Sequence, residues 1–504
     1  MAVQTESEAV SGLLWNDESV LRWKHEKTVG VLMALRKLFE SAAERTDREV
    51  EFLHLLDWCE QAAKNPFEEV FCHPRAYHWA RVAFDLVAAV HRGATISNGT
   101  AEYLQGLRIA DSDVGLAYHL NQFNLFVAAL ALHREEAVSF SPTPLHTPDV
   151  LPGTDYSISN PARQVQLCGV HADGALGLLV DGDHVKCPMG ERSLSTTGET
   201  TLHVAPRVVC GDGAITLQPH AFNVPGLKDI RSVASASVED QSNVVPVLEH
   251  TLELIRAFDP ETYRQIGSYM RVIAFKPSGA GGVFNTSCSR LPGASIFTAA
   301  GNAMMLADDL IHEFYHNRLF ALEEKFAFLS DDSDQARPTT FYSPWREDPR
   351  PIYGLFHAAF VFQRVHGFWI AALESGQLTG IDQAYAKSRV AKLGFQLQTT
   401  LAQLLCWGNF TTKGRVICEA VGESLRRGLV VAKSLGIDDD TPMVHFDPQA
   451  GFGFSLNDTG QAIRAKDELT SHICQYDVNR RTEQVVKDHF EQVVDFASAM
   501  AILI

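Results

Sequence analysis

One stretch restricts the fold more than any other: Asp308-Asp309-Leu310-Ile311-His312-Glu313-Phe314-Tyr315-His316-Asn317-Arg318-Leu319 carries an H-E-x-x-H signature. Its two imidazoles reach one divalent ion only if the segment is an α-helix, where residues four apart project from one face a turn apart. Leu306, Leu310, Phe314 and Leu319 supply the apolar side of such a helix, which the periodicity extends from about Asn302 to Phe328. If the motif binds metal, the chain has to pack other elements around that helix.

The remainder of the 504 residues divides by its hydrophobic period. From Asp17 to about Glu136 apolar residues recur at helical spacing, as in Val31, Leu32, Leu35 and Leu38, or Val82, Leu86, Val87 and Val90, which predicts an all-helical region. His73, His78, His119 and His133 are read there as surface or satisfied core histidines. Pro142, Pro144, Pro148, Pro152 and Pro161 break all periodicity and predict a linker and domain boundary. Short Val-, Leu- and Thr-rich runs from Arg163 to His220, punctuated by Asp-Gly at Gly174, Gly182 and Gly213, predict two or three β-hairpins.

A helix is expected after Pro246, then a strand over Arg271–Phe275, a flexible Ser278–Gly282, a polar Asn285–Ser289 and a strand from Ala294 to Phe297, leading into the H-E-x-x-H helix. Beyond it, Phe341–Pro351 with its three prolines predicts a semi-rigid extended loop, followed by helices over Gly354–Glu374, Ile381–Cys406 and Lys413–Leu435. A helical tail from Gln461 to Ile504 would bury Val485, Phe490, Val493 and Phe496. The expected class is α+β, mainly helical: a helical N-terminal region (1–140), a linker and small β-hairpin region (141–240), a helical metal-binding catalytic core with a small sheet (241–435), and a C-terminal helical region (436–504).

Charge and cysteine usage limit the partners. The formal net charge of −18 argues against nucleic acid or an anionic membrane surface, both of which need clustered Lys and Arg. Nine scattered cysteines without a C-x-x-C pair form neither a disulfide framework nor a zinc knuckle. Met1 to Trp15 is polar and acidic without a basic-then-apolar signal, and no apolar run approaches the ~20 residues of a bilayer span, so a cytoplasmic location is expected.

His312 and His316 require further ligands, because two imidazoles leave a divalent ion under-coordinated. Glu323 or Glu324 on the same helix is a candidate, but Glu323 lies seven residues past His316, about 10 Å along the helix, too far to close the same sphere. His357, delivered by the proline-framed loop, is the better candidate than His366; a core histidine packed against Phe356 and Phe360 is the bland alternative. Two chemistries suit such a helix. In a zinc peptidase, Glu313 would be the base that activates metal-bound water, but the longer H-E-x-x-H-x-x-G-x-x-H signature is absent. In an iron(II) oxygenase, a cation would hold the far carboxylate of a 2-oxo acid, and Arg346 and Arg350 stand just ahead of His357. Arg364 is a third possibility, more simply read as an ion-pair partner.

Leu310-Ile311-His312-Glu313-Phe314-Tyr315-His316, then Tyr342-Ser343-Pro344-Trp345-Arg346-Glu347-Asp348-Pro349-Arg350-Pro351, then Gly354-Leu355-Phe356-His357-Ala358 together resemble the H-E-x-x-H-motif peptide-modification proteins of ribosomal peptide natural-product clusters. Phe284 to Phe297 is similar to that family's serine-rich strand-loop-strand, and the likeness spans roughly Val245 to Val430. Ala358 stands where the family often shows glycine. The resemblance implies a fold distinct from the double-stranded β-helix. It also implies iron(II)- and 2-oxoglutarate-dependent hydroxylation, using O2, at the β-carbon of a residue in a ribosomally made precursor peptide. Carried onto this chain, it places His312, His316 and His357 on iron and Arg346 or Arg350 on 2-oxoglutarate. Glu313 would orient a ligand or water, and Tyr315, Tyr342 and Trp345 would wall the site. A zinc metallopeptidase acting on such a peptide and a non-catalytic peptide-binding module are the alternatives.

Overall fold

The computed structural model describes residues 19–42, 44–145, 149–159, 164–188, 193–196, 200–218, 238–276, 285–298, 301–330, 340–346, 348–447 and 450–480. The expectations for Met1–Trp15, Ser278–Gly282, His220, most of the acidic Ser330–Pro338 segment and the apolar side of the tail beyond Arg480 lie outside the described residues. The chain forms two compact units, Leu21–Glu249 with Ile266–Ala299, and His250–Gln265 with Ala300 onward. The class is mainly helical α+β, with small open sheets and no closed barrel among the described residues.

The first unit opens with seven described helices, α1 (Ser19–Ser41), α2 (Asp47–Glu60), α3 (Lys64–Phe71), α4 (Pro74–Arg92), α5 (Asn98–Leu107), α6 (Ser112–Asn121) and α7 (Asn124–Arg134). Local sequence sets their ends: Thr46 and Glu49 form a reciprocal capping box at α2, and Gly93 closes α4 in the left-handed conformation. Their apolar faces meet in an aromatic cluster of Phe52, Trp79 and Phe123, with ring centroids 4.8–5.8 Å apart. His119 stacks on Trp79 and bonds both to its carbonyl and to the Tyr103 hydroxyl. It is a satisfied core histidine, as expected, and burial pushes its pKa down to about 4.

The proline-rich stretch is where the sequence reading fails. Val138–Pro144 is a strand, β1, at the edge of a four-stranded sheet with β4 (Val165–Val170), β5 (Leu176–Val180) and β6 (Asp183–Cys187). Proline cannot donate to a ladder, but an edge strand with an irregular register between Ser139 and Thr143 tolerates it. The side chains at the α6–α7 junction replace the missing partners. Asn121 donates to the Pro142 carbonyl, Gln122 to that of Pro144, and Asn124 to that of Ser141 and to the Thr143 hydroxyl. One hydrophobic core then runs from Leu32 in α1 to Leu202, so helices and hairpins share a unit where a boundary was expected.

The hairpins form as anticipated. Asp181 and Gly182 both take positive φ, 51° and 93°, in the two-residue turn between β5 and β6, the geometry that an Asp-Gly pair serves. A second four-stranded sheet orders β2 (Asp149–Val150), β3 (Tyr156–Ser159), β8 (Thr200–Val204) and β7 (Ser193–Thr196). A five-stranded mixed sheet orders β12 (Thr286–Ser287), β13 (Ala294–Thr298), β11 (Val272–Lys276), β10 (Gly213–Gln218) and β9 (Arg207–Cys210), with β13, β11 and β10 parallel. The helix expected after Pro246 spans Val238–Phe258 (α8), so Pro246 lies inside it, an arrangement that forfeits one backbone hydrogen bond. It is followed by α9 (Pro260–Tyr269).

In the second unit four long helices, α10 (Ala303–Glu323), α11 (Ile352–Glu374), α12 (Gly380–Trp407) and α13 (Thr412–Ser434), pack on one another and are followed by a hairpin of β16 (Val444–Asp447) and β17 (Gly451–Phe454) and by α14 (Ala465–Arg480). Asn302 caps α10 by accepting from the backbone of Met304 and Met305, and Leu306, Leu310, Phe314 and Leu319 are fully buried. Thr340–Phe341 (β14) pairs with Arg350–Pro351 (β15) and closes the proline-framed loop at its base. Replacement of Asn124 by alanine should destabilise the chain by about 1–3 kcal/mol through the unsatisfied acceptors it leaves on β1, measured as a lowered urea midpoint with an unchanged slope.

Candidate metal centre

The site rests on the antiparallel pairing of α10 and α11. Asp308 meets Trp369, His312 meets Phe362, His316 meets His357, and Glu323 meets Tyr353, so position numbers rise along one helix as they fall along the other. Residues 308, 312, 316, 320 and 323 share one face of α10 because steps of four and three keep returning to it.

The register is fixed one turn before His312. The Asp308 carboxylate, 6 % exposed, accepts from the Trp369 indole at 3.0 Å and from Nε and Nη2 of Arg389 at 2.8 and 3.0 Å. This bidentate ion pair ties α10, α11 and α12 together.

His312 and His316 present Nε2 atoms 3.1 Å apart. Two nitrogens bound to one ion at ~2.0–2.1 Å stand roughly 3.0–3.4 Å apart, so this edge fits a divalent metal. Burial depresses the pKa of His312 to about 4, against the opposing Asp308 carboxylate, and that of His316 well below the ordinary value, with His312 and His357 adding to the effect. Both rings are therefore neutral at pH 7, the form that ligates. The buried Glu313 carboxylate comes within 4.0 Å of His312 Nε2.

His357 is 5 % exposed and lies on the other edge of the His316 ring, its Nδ1 3.3 Å from His316 Nδ1. Its Nε2 contacts Glu323 Oε1 at 2.8 Å, and Glu323 Oε2 accepts from the Tyr353 hydroxyl at 3.0 Å. The geometry thus supplies two nitrogens on one edge and a third nitrogen beside the opposite edge. Among the described residues no group of three or more His, Cys, Asp or Glu side chains converges tightly enough to enclose an ion. Glu323 is too distant to join His312 and His316, as helix rise requires, yet it reaches His357; that partnership was missed, although its place on the histidine face was readable from the spacing.

Aromatic rings connect the histidines with the arginine loop. Phe362 lies 4.5 Å from the His312 ring, and Trp345 stacks flat on Phe362 at 4.7 Å. The indole nitrogen of Trp345 is buried without a hydrogen-bond partner. Next to it, Arg346 and Arg350 flank Asp348, with Nε contacts of 2.8 and 3.5 Å, and the hydrogen bond from Arg346 holds the Asp348 carboxyl below the usual range. Arg346 is exposed and Arg350 partly so, and the two contact opposite oxygens of the same carboxylate. The loop backbone is anchored from α12: Gln396 donates to the Pro344 carbonyl and Gln403 to that of Tyr342.

Two tyrosines from the sequence reading point elsewhere. The buried Tyr342 hydroxyl bonds to His472 Nδ1 at 2.6 Å. Tyr315 is fully buried, pairs with the Thr262 hydroxyl at 3.0 Å and lies under the Arg364 guanidinium, which also meets Asp259 at 3.5 Å. Arg364 is the ion-pair partner that its bland reading described, and His366 is buried with its pKa pushed down to about 4.

No protein-family model matches this chain, and no curated protein matches it. Replacing Asp308 by alanine leaves Arg389 and the Trp369 indole buried without their acceptor. Such a change should cost about 3–5 kcal/mol, seen as a large drop in unfolding midpoint.

Proposed function

We propose that the protein is an iron(II)- and 2-oxoglutarate-dependent hydroxylase acting at the β-carbon of a residue in a ribosomally made precursor peptide. The observation that carries this reading is the pair of neutral, 3.1 Å-spaced Nε2 atoms of His312 and His316 beside an arginine-bearing loop. Iron(II) with 2-oxoglutarate and O2 supplies, when bound, the oxidising power for C–H hydroxylation and leaves succinate and CO2. His312 and His316 would hold the ion through Nε2. His357, which the family resemblance also puts on iron, would have to leave the Nδ1 edge of His316 to join them.

The protein's other groups fit the same reading. Arg346 and Arg350, both engaged by Asp348, are guanidinium donors that suit the far carboxylate of a 2-oxo acid. The unpaired Trp345 indole N–H is a further donor on that loop. Phe362 and Trp345 form an apolar wall against His312 and keep water from its exposed side. Tyr342 serves the loop by anchoring it to His472, and Tyr315 serves α10 by anchoring it to Thr262. The absence, among the described residues, of any helix long and apolar enough to cross a membrane is compatible with a peptide substrate met in water.

The nearness of Glu313 to His312 Nε2 favours a second reading, a zinc peptidase in which Glu313 is the base. Anaerobic addition of iron(II) and 2-oxoglutarate should give a visible charge-transfer band that His316→Ala abolishes. In air, a candidate peptide should gain one oxygen as succinate forms. Glu313→Gln should retain most of that activity. Peptide cleavage with zinc, lost in Glu313→Gln, with no band under iron would establish the peptidase instead.

A further inference from the structure

The Asp348 carboxylate stands between the two arginines of the proline-framed loop. Its Oδ1 accepts from Arg346 Nε at 2.8 Å, and its Oδ2 meets Arg350 Nε at 3.5 Å. We infer that Asp348 is a positioning residue, which holds both guanidiniums by their Nε edges and so readies their terminal nitrogens for a single carboxylate group of a ligand. This deepens the arginine reading above and rests on it, though not on hydroxylation itself.

The short side chain is the fixed partner and the long ones are the adjustable partners. Pro349 keeps Asp348 out of the helical region, and an aspartate has few rotamers to lose. Arg346 and Arg350 carry long side chains that are 56 % and 34 % exposed. Each is tethered at its root. The Arg346 amide bonds to the Ser343 carbonyl at 3.3 Å. Arg350 pairs with Phe341 between β14 and β15, and its stem lies over Gly354, where an added Cβ would meet it at 3.5–3.8 Å. At the other end, Asp348 is the sole ion-pair partner of either guanidinium among the described residues.

A guanidinium has five N–H donors, so engaging Nε leaves four on each arginine. Two guanidiniums and one carboxylate also leave one positive charge in excess, which one further carboxylate balances. Two effects of Asp348 on such a ligand oppose each other. Its charge repels the ligand, which at an exposed site weakens affinity by up to about fivefold. Its contacts order the two arginines in advance, and each rotamer-rich side chain left for a ligand to immobilise costs about two- to twelvefold. Over two arginines the ordering is the larger effect, so Asp348 favours binding although it shares the ligand's charge.

The test uses the full chain, labelled with nitrogen-15 at arginine, without metal and in titration with 2-oxoglutarate. Arg346→Lys and Arg350→Lys identify the two Nε–H signals, and both signals should shift as the wild type takes up the acid. Asp348→Ala should raise Kd about 3–30-fold. Asp348→Glu keeps a carboxylate and should restore most of the affinity, which general damage to the loop would not allow. A thermal melt checks each fold. If Asp348→Ala does not fold, Asp348→Asn serves: it keeps one accepting oxygen, and its Kd should fall between those of wild type and of a chain without the contact. Binding by Asp348→Ala or Asp348→Asn as tight as wild type or tighter would overturn the inference, because Asp348 would then act only as a repelling charge. Affinity not restored by Asp348→Glu, or no shift of either signal in wild type, would also overturn it. Neither iron nor turnover enters these readouts, so they fail separately from the hydroxylase reading, which a missing charge-transfer band and missing succinate would sink.

Discussion

The centre depends on a buried ion pair that has no chemical role of its own. Asp308 accepts from Arg389 and Trp369 in three contacts and so locks helix to helix one turn ahead of His312. Antiparallel helices can slide by a turn at modest cost if only apolar side chains meet, because many registers bury similar area. The bidentate Arg389 contact fixes α12 against the Asp308 carboxylate, and the Trp369 indole donating to the same carboxylate admits one register of α11 on α10, since any other leaves a buried carboxylate short of its donors. With that register set, His316 meets His357 and Glu323 meets Tyr353 without further adjustment.

The arginine loop is fixed by the same logic with neutral groups. Proline removes backbone donors from Phe341–Pro351, so the loop cannot hold itself in a ladder along its length. Glutamine side chains seven residues apart on α12 supply donors from outside, to Tyr342 and Pro344. The first unit shows a parallel case, where Asn121, Gln122 and Asn124 serve the proline-bearing edge strand. In both places amide side chains from a helix support a backbone rich in proline.

The helices were legible because apolar period and caps agree, as at Asn302 and α10. The Asp181-Gly182 hairpin turn was legible because only a few residue types accept positive φ, whereas at β9–β10 the turn falls on Gly211 and Asp212, one residue before the expected Asp-Gly pair. The edge strand was not, because proline signals loop unless the long-range amide donors are known. At the site, the pairing of His312 with His316 followed from spacing alone. Tyr315 was readable as a wall residue only by neglecting helix rotation, which turns it about 100° from His316 and toward Thr262. The Glu323–His357 contact required the antiparallel register of α10 and α11, and that register is written in Asp308 and Trp369, residues that carry no motif.

The most direct measurement is the anomalous difference density of crystals grown anaerobically with iron(II) and 2-oxoglutarate. The account predicts a single iron peak within bonding distance of Nε2 of both His312 and His316, with the 2-oxo acid's far carboxylate against Arg346 or Arg350. Iron bound away from that edge, or bound there with the arginines still engaged only by Asp348, would contradict it.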